Sequence, residues 1–333
     1  MFEGFANVWT PVTLARRLKA NKPLPVVLAG EKLVFFRGRD GVAGALLDRC
    51  PHRGVALSLG KVNDGCLECP FHAWQFDPSG ACTNVPLNPD AKRERLFATS
   101  LPTRELGGLL WVYTAPVKQA PHEPVVPETL TRPDLTRSYL EVEWNAHWSR
   151  AMENMLDSPH VPFLHRRTIG RFVRPNLKPD SRMDIGWEPT DFGAKLTSII
   201  DGNTSRDAGF LEFYRPNMMV LTIPIPKQTF RMHSLCVPAE QNRVRMIVVG
   251  SRSFAKLPLL NPFFNWNNRR IAEEDRAVVE SSFPVEVPPP AEERSVRTDK
   301  ATLQFRKYYF EVLKPSVASE PSRPLLTAVA ANE

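Results

Sequence analysis

Long apolar runs and export signals are missing from this sequence. No uninterrupted apolar stretch approaches the roughly 18 residues that a membrane-spanning helix needs. Residues 1–10 are acidic and aromatic, whereas a secretory signal peptide begins with basic residues that are followed by an apolar core. We therefore expect neither export nor a membrane partner.

Cysteine is scarce, and its number is odd. Five cysteines in 333 residues do not have the even, closely spaced pattern of a disulfide framework. We expect Cys66, Cys82 and Cys236 to be free thiols, which are stable in a reducing compartment. The expected location is therefore the cytoplasm.

Charge of one sign is never concentrated in this sequence. The net charge is +7, yet no block of five or six like charges occurs. A nucleic-acid partner is therefore not expected, whereas the excess of positive charge favours an acidic protein partner.

Proline, by contrast, is abundant and marks a division of the chain. The 32 prolines are interleaved with strand-like apolar runs, which indicates rigid loops and not disorder. Five of them form a semi-rigid linker: Pro116, Pro121, Pro124, Pro127 and Pro133. Because 333 residues suffice for two domains, we predict a first domain over residues 1–115, a linker over 116–136 and a second domain over 137–333.

The first part of the chain has the pattern of a small antiparallel β module. Short β-type runs occur at residues 26–29, 33–37, 42–47 and 109–113. The second and third runs are joined through Asp40 and Gly41, a hairpin signal. Ahead of them, Thr10 and Pro11 have the pattern of a helix start.

The second part of the chain combines long strands with separate helices. Strands are predicted at residues 138–144, 183–188, 194–200, 210–214, 218–223, 229–237 and 244–251. Helices are predicted at residues 265–280 and 298–313. This pattern predicts an α+β fold with an antiparallel sheet wrapped around a helix.

Two loops of the β module each carry one cysteine and one histidine. They read CPHRG, with Cys50 and His52, and CPFHAW, with Cys69 and His72. Such a set can hold a tetrahedral zinc ion, but zinc fingers usually pair Cys with Cys and His with His. One Cys and one His from each loop instead match a Rieske [2Fe–2S] cluster, in which thiolates hold one iron and imidazoles hold the other. A Rieske cluster is the predicted cofactor, and zinc is the alternative.

A second constellation lies in residues 153–165, ENMLDSPHVPFLH. Asn154 and Asp157 are three residues apart and share one helical face. Two prolines then break the helix, which would let His165 turn towards His160. Two imidazoles beside a carboxylate can bind a non-haem Fe(II) and leave open positions for oxygen and substrate. The alternative is a pair of surface histidines beside a capping aspartate.

Together the two motifs resemble a known family. CPHRG, CPFHAW and N-x-x-D-x-x-H-x-x-x-x-H, in this order and spacing, are similar to the catalytic α subunit of the Rieske non-haem iron oxygenases. The resemblance implies an N-terminal Rieske β-domain followed by a helix-grip catalytic domain of the START/Bet v 1 type. It points to the homo-oligomeric branch that includes dicamba monooxygenase, caffeine N-demethylases and saxitoxin-pathway hydroxylases, and it therefore implies a homotrimer.

The resemblance also implies roles for individual residues. The cluster is expected to be held by Cys50, His52, Cys69 and His72. The mononuclear iron is expected to be held by His160, His165 and an acidic residue of a downstream helix, which Asp275 matches. Chemistry alone does not eliminate the acidic residues near it, Glu273, Glu274 and Glu280. Asp157 corresponds to an acidic bridge between a cluster histidine of one subunit and an iron histidine of the next.

The implied activity is oxygenation of a small organic molecule. Electrons from NAD(P)H would arrive through a separate ferredoxin or flavin reductase, and O₂ would be used for hydroxylation or oxidative demethylation at the mononuclear Fe(II). A secondary metabolite or an aromatic or alkaloid-like compound is the expected substrate class. The alternative is a redox carrier or sensor that has a Rieske cluster but turns over no substrate.

Overall fold

The computed structural model describes residues 1–202 and 209–317. The strands of the first part are β1 Trp9–Leu14, β2 Leu24–Leu28, β3 Glu31–Arg37, β4 Ala43–Leu47, β5 Lys61–Asn63, β6 Cys66–Glu68, β7 Gln75–Phe76, β8 Cys82–Asn84, β9 Ser100–Leu101, β10 Thr103–Leu106 and β11 Leu109–Tyr113. They form three sheets, in the orders β1-β11-β10, β2-β3-β4-β9 and β5-β6-β7-β8. All of their strand pairs are antiparallel, as the sequence predicts for this part of the chain.

The second part contains one large sheet and the main helices. Its elements are α1 Glu128–Thr131, β12 Thr136–Trp144, α2 Trp148–Leu156, α3 Val161–Leu164, β13 Met183–Thr190, β14 Gly193–Ile200, β15 Gly209–Tyr214, β16 Met218–Thr222, β17 Phe230–Glu240, β18 Arg243–Arg252, α4 Asn261–Val279 and α5 Lys300–Tyr308. The seven strands pair antiparallel in the order β12-β18-β17-β16-β15-β14-β13. The predicted α+β class is confirmed.

Strand β3 shows why the first part needs so many consecutive apolar residues. Leu33 and Phe35 point to one side of it and join a core shared with the large sheet. Val34 and Phe36 point to the other side and pack under the cysteine- and histidine-bearing loops. Since successive side chains of a strand alternate between its faces, a strand that is buried on both sides must be apolar throughout.

The large sheet also separates two cores. Leu235 and Val237 of β17 face the N-terminal β module. Cys236, which lies between them in sequence, faces the opposite side together with residues of α2, α4 and α5. The β module therefore covers one face of the sheet and the helices cover the other. The 153–165 segment belongs to the helical side.

The predicted helix start at Thr10 and Pro11 is wrong. These residues lie in β1, which pairs with β11 from Trp9–Tyr113 to Leu14–Leu109. The register shifts between Pro11 and Thr13, at a bulge. Proline is tolerated here because β1 is an edge strand of its sheet and carries the bulge next to Pro11. Pairing with a distant apolar strand overrides the local helix-start pattern.

Helix α4 begins earlier than predicted, at Asn261 instead of residue 265. Pro262 occupies its first turn, where the missing backbone N–H has no intrahelical partner to lose. The last helix, predicted at 298–313, is α5 followed by a π-helical turn at Tyr309–Leu313. Both helices lie where the sequence predicts them, and only their ends differ.

His233 is fully buried on the side of the sheet that faces the β module. Its Nδ1–H donates to the carbonyl of Val249 over 2.9 Å, and its Nε2 lies 3.0 Å from the hydroxyl of Thr129 in α1. The histidine thus fastens the short helix α1 to the large sheet. Burial lowers the pKa of His233 to about 4, because the imidazolium is poorly solvated there.

Low pH is therefore expected to destabilise the fold partly through His233. The histidine titrates near pH 6.5 in an unfolded chain but near pH 4 in the folded one, so the unfolded state takes up the proton first. This contribution is complete above pH 6.5 and is lost as the pH falls towards 4. Urea unfolding between these pH values should show wild type losing up to about 1.4 kcal/mol per pH unit more than His233→Gln. Equal pH slopes would contradict the assignment.

The predicted linker, residues 116–136, contains α1, and Leu130 of this helix is completely buried. The predicted division at 1–115, 116–136 and 137–333 stays a prediction, and residues 203–208 and 318–333 lie outside the described part of the chain. Among the helices of residues 1–202 and 209–317, none is both long and apolar enough to cross a membrane.

Candidate metal centres

The two loops that carry Cys50 and Cys69 have the same backbone geometry. The N–H of each cysteine donates to the carbonyl five residues later, of Val55 in one loop and Trp74 in the other, each over 2.8 Å. Each cysteine carbonyl accepts from the N–H four residues later. Those two donors, Gly54 and Ala73, both have positive φ angles, of 73° and 55°. Matching turns let two loops present matching side chains to one ligand.

The cysteines and histidines of these loops occupy different depths. Cys50 and Cys69 are each 2% exposed, whereas His52 and His72 lie at the surface with ring centroids 4.8 Å apart. Burial, together with the neighbouring Cys69 thiol, raises the pKa of Cys50 to about 11. A thiol in this position ionises readily only when a metal cation compensates its charge.

One zinc ion fits this arrangement poorly. The donor atoms around a tetrahedral zinc lie about 4 Å or less from one another. Within residues 1–202 and 209–317, these four side chains are not among the sets of three or more that converge as metal ligands, whereas another trio is. A group that separates a thiolate pair from an imidazole pair, as a [2Fe–2S] cluster does, fits the two depths.

The trio that does converge is His160, His165 and Asp275. Helix α2 ends at Leu156, and the short helix α3 begins after His160 and ends before His165, with Pro162 in its first turn. This break turns the two imidazoles towards each other, with ring centroids 5.2 Å apart. Asp275 reaches them from the buried face of α4.

The distances within the trio suit a single metal ion. Asp275 Oδ1 lies 3.1 Å from His165 Nε2 and 3.5 Å from His160 Nε2. Donor atoms bound about 2.1 Å from one ion at right angles are about 3 Å apart, so little movement is needed. Asn154 Nδ2 donates to the same Oδ1 over 3.0 Å and fixes the carboxylate.

A carboxylate stands behind each imidazole. His160 Nδ1 donates to Asp157 Oδ2 over 3.0 Å, and His165 Nδ1 donates to Glu274 Oε2 over 2.8 Å. With both Nδ1 atoms occupied, both Nε2 atoms face Asp275. Burial lowers the pKa of His165, but Asp275 and Glu274 outweigh it, and the pKa lies above its usual value.

The four acidic residues in α4 and just after its end make different contacts. Glu273 is exposed and pairs with Arg276 over 3.6 Å. Glu280 pairs with the same arginine over 2.7 Å and accepts from the N–H of Asn145. Glu274 contacts the outer nitrogen of His165, Nδ1. Asp275 alone among the four faces the inner nitrogens, Nε2, of both histidines.

Comparison with known proteins matches both parts of the chain to family models. Residues 8–102 match the Rieske [2Fe-2S] domain, and residues 144–314 match the vanillate O-demethylase oxygenase C-terminal domain. The chain belongs to the Rieske non-haem iron oxygenases. The predicted family is thereby confirmed, as are the helix-grip type of fold and the family's two cofactors, a Rieske cluster and a mononuclear iron.

This oxygenase-family chain has relatives of several kinds. It is 36% identical over 289 residues to chlorophyllide a oxygenase of Chlamydomonas reinhardtii, which covers 82% of this chain and 42% of the relative. The structure of Pseudomonas putida CBB5 NdmA is 25% identical, covers 94% of this chain and 92% of its own, and has a TM-score of 0.77. Dicamba monooxygenase bound to dicamba, 20% identical, has the same fold, with coverage of 94% and 98% and a TM-score of 0.77.

The chain spans about half the length of the curated relatives it matches. The two family matches of this oxygenase-family chain cover residues 8–102 and 144–314.

Sequence reasoning missed two features of the iron side. The sequence only weakly indicates that Glu274 lies beside His165. Neighbouring helical residues point about 100° apart, so Glu274 and Asp275 can both contact the same imidazole. Thr168, whose hydroxyl donates to Glu274 over 2.6 Å, has no signal, since its partner in α4 lies about a hundred residues later in the chain.

Proposed function

We propose that this protein is a Rieske mono- or dioxygenase that uses O₂ and reductase-supplied electrons to hydroxylate or oxidatively demethylate a small organic molecule. The observation that carries the proposal is the convergence of His160, His165 and Asp275. A redox carrier or sensor needs only the cluster loops. A second set of metal ligands in a separate part of the fold, with His165 and Asp275 buried and His160 half-buried, favours an oxygenase.

The residues divide between the two cofactors as follows. Cys50 and Cys69 would hold one iron of the cluster, and His52 and His72 would hold the other. His160, His165 and Asp275 would hold the mononuclear Fe(II). When bound, the cluster supplies single electrons and the mononuclear iron supplies O₂ activation next to the substrate.

The surrounding side chains hold these ligands in place. Asp157 and Glu274 keep the Nδ1 protons of His160 and His165, which leaves both Nε2 atoms free to coordinate. Asn154 keeps Oδ1 of Asp275 directed at the histidines. Because His160, His165 and Asp275 are only three protein ligands, a bound Fe(II) would keep coordination positions free for its oxygen chemistry.

The face of α4 that carries Asp275 also carries a polar group suited to substrate binding. Asn268 lies two turns earlier, about 10 Å along the helix axis. It is 6% exposed, and its Nδ2 has no hydrogen-bond partner in the described part of the chain. A buried donor without a partner costs free energy, so a carbonyl or carboxylate oxygen of a substrate would be stabilised there. A secondary metabolite or an aromatic or alkaloid-like compound that carries such an oxygen would meet this requirement.

Electron transfer is proposed to cross between subunits of a homotrimer. His52 and His72 are exposed at the tips of their loops, and Asp157 is only half-buried beside His160. A head-to-tail ring is a heterologous assembly that closes by rotation, and it can place the exposed histidines of one chain against Asp157 of the next. The external donor would be a ferredoxin or a flavin reductase, and the five unpaired cysteines support a cytoplasmic location.

The proposal predicts the metal content. Anaerobically purified protein should contain about three irons and two acid-labile sulfides per chain, from one cluster and one mononuclear ion. It should be coloured, because Rieske clusters absorb visible light and zinc does not. Iron, sulfide and zinc analyses on the same sample test this directly. Stoichiometric zinc in a colourless protein would overturn the proposal.

The substrate is best sought by turnover. An NADH-driven reaction with a surrogate reductase, a varied panel of small aromatic and alkaloid-like compounds, and mass spectrometry would reveal a product heavier by one or two oxygens or lacking a methyl group. His160→Ala protein in the same assay identifies background chemistry. Cluster reduction and reoxidation without any product from a broad panel would favour the redox carrier.

A further inference from the structure

We propose that Glu274 is a positioning residue that fixes the orientation and the tautomer of His165, and this rests on the proposed iron site. In this role Glu274 binds no metal. It holds a proton of His165 at Nδ1 and thereby keeps Nε2, on the side of Asp275, available to a metal ion.

The contacts of Glu274 define this role. Its Oε2 accepts from His165 Nδ1 over 2.8 Å and from the hydroxyl of Thr168 over 2.6 Å. The imidazole is 2% exposed, so water has almost no access to it. Among the described residues, the carboxylate thus supplies the acceptor that a buried Nδ1–H requires.

The Thr168 end of this arrangement is itself fixed. The carbonyl of His165 accepts from the N–H groups of Thr168 and Gly170, each over 2.9 Å. A Cβ on Gly170 would lie 2.2 Å from the carbonyl of Val161, so the turn needs glycine at this position. The tight turn holds the threonine hydroxyl against Oε2 and limits the freedom of the carboxylate.

The consequence concerns metal affinity. A neutral imidazole has one N–H, and the hydrogen bond to one nitrogen determines which nitrogen is free for a metal. Loss of such a carboxylate partner typically weakens metal binding by about 10- to 100-fold. Asp157 stands in the same relation to His160, but it is also proposed to lie on the electron path between subunits. Glu274 is the partner whose removal changes the iron ligand alone.

The test compares three full-length variants that retain the cluster. Glu274→Leu removes the acceptor, and Glu274→Gln keeps a neutral acceptor of the same size. Glu273→Gln is the matched control, because this neighbouring carboxylate is exposed and contacts Arg276 instead of a histidine. After mild chelation of the mononuclear site, each protein is titrated anaerobically with Fe(II) against a competing chelator.

We expect affinity to fall by about 10- to 100-fold in Glu274→Leu, by less in Glu274→Gln and not at all in Glu273→Gln. The EPR signal of the Fe(II) site with nitric oxide as a probe should change its rhombicity in both Glu274 variants and not in the control. A purely structural role would alter thermal unfolding without this spectroscopic change. The isosteric Gln variant keeps the test valid if the Leu variant does not fold.

Two outcomes have distinct meanings. Folded Glu274 variants with wild-type affinity and an unchanged EPR signal would overturn the positioning role while leaving the iron site intact. Failure of wild-type protein to bind Fe(II) at all, with Asp275→Ala indistinguishable from it, would overturn the proposed function, and the positioning role would fall with it.

Discussion

Asp275→Ala is expected to lose the mononuclear iron completely and to abolish oxygenation. Its Oδ1 is the point where Nε2 of His160 and Nε2 of His165 converge, at 3.5 and 3.1 Å. Without this anion, two neutral imidazoles remain, and they hold Fe(II) too weakly to survive purification. Iron should fall from about three to about two per chain, with sulfide and the visible spectrum of the cluster unchanged.

Variants of the neighbouring acidic residues provide the comparison. Glu280→Gln removes a carboxylate of the same helix end, but Glu280 binds Arg276 and the N–H of Asn145 and should leave all of the iron in place. Glu274→Ala should retain iron at reduced occupancy. If Asp275→Ala keeps its iron and Glu274→Ala loses it, the ligand has been assigned one residue too late.

Mixing two inactive variants is expected to restore activity. His72→Ala lacks a working cluster but keeps its mononuclear iron ligands, and His160→Ala has the reverse defect. If electrons pass between neighbouring subunits, an intact cluster in one chain can serve an intact iron in the next. Random assortment of equal amounts in closed rings should give about one quarter of wild-type activity. The measurement is turnover of a substrate found in the panel, after joint dissociation and reassembly.

The control for this experiment is each variant reassembled alone, which should stay inactive. Asp157→Asn tests the proposed route by another change, because it keeps the size of the side chain and removes its charge. Both metal sites should persist in Asp157→Asn, while reoxidation of the reduced cluster by O₂ and substrate slows. Mixed rings that are verified by native mass spectrometry and remain inactive would exclude transfer between subunits.

Local sequence was sufficient for the ligand-bearing segments. Cys50 with His52, Cys69 with His72, and His160 with His165 are each separated by five residues or fewer, so chain geometry alone brings each pair together. The helix break between Asp157 and His165 follows from proline chemistry, which is equally local. The strands of the second part were predicted for the same reason, since each is a run of consecutive β-type residues.

The tertiary structure decided what depends on distant contacts. Residues 10–11 have a helix-start pattern, yet they form part of β1 because β11, about a hundred residues later, offers a strand to pair with. Asp275 and Glu274 are chemically equivalent neighbours in sequence. Only the rotation of α4 against the two histidines assigns one to their inner nitrogens and the other to the outer nitrogen of His165. Packing of the entire helix fixes that rotation, so it cannot be predicted from the spacing of a short motif.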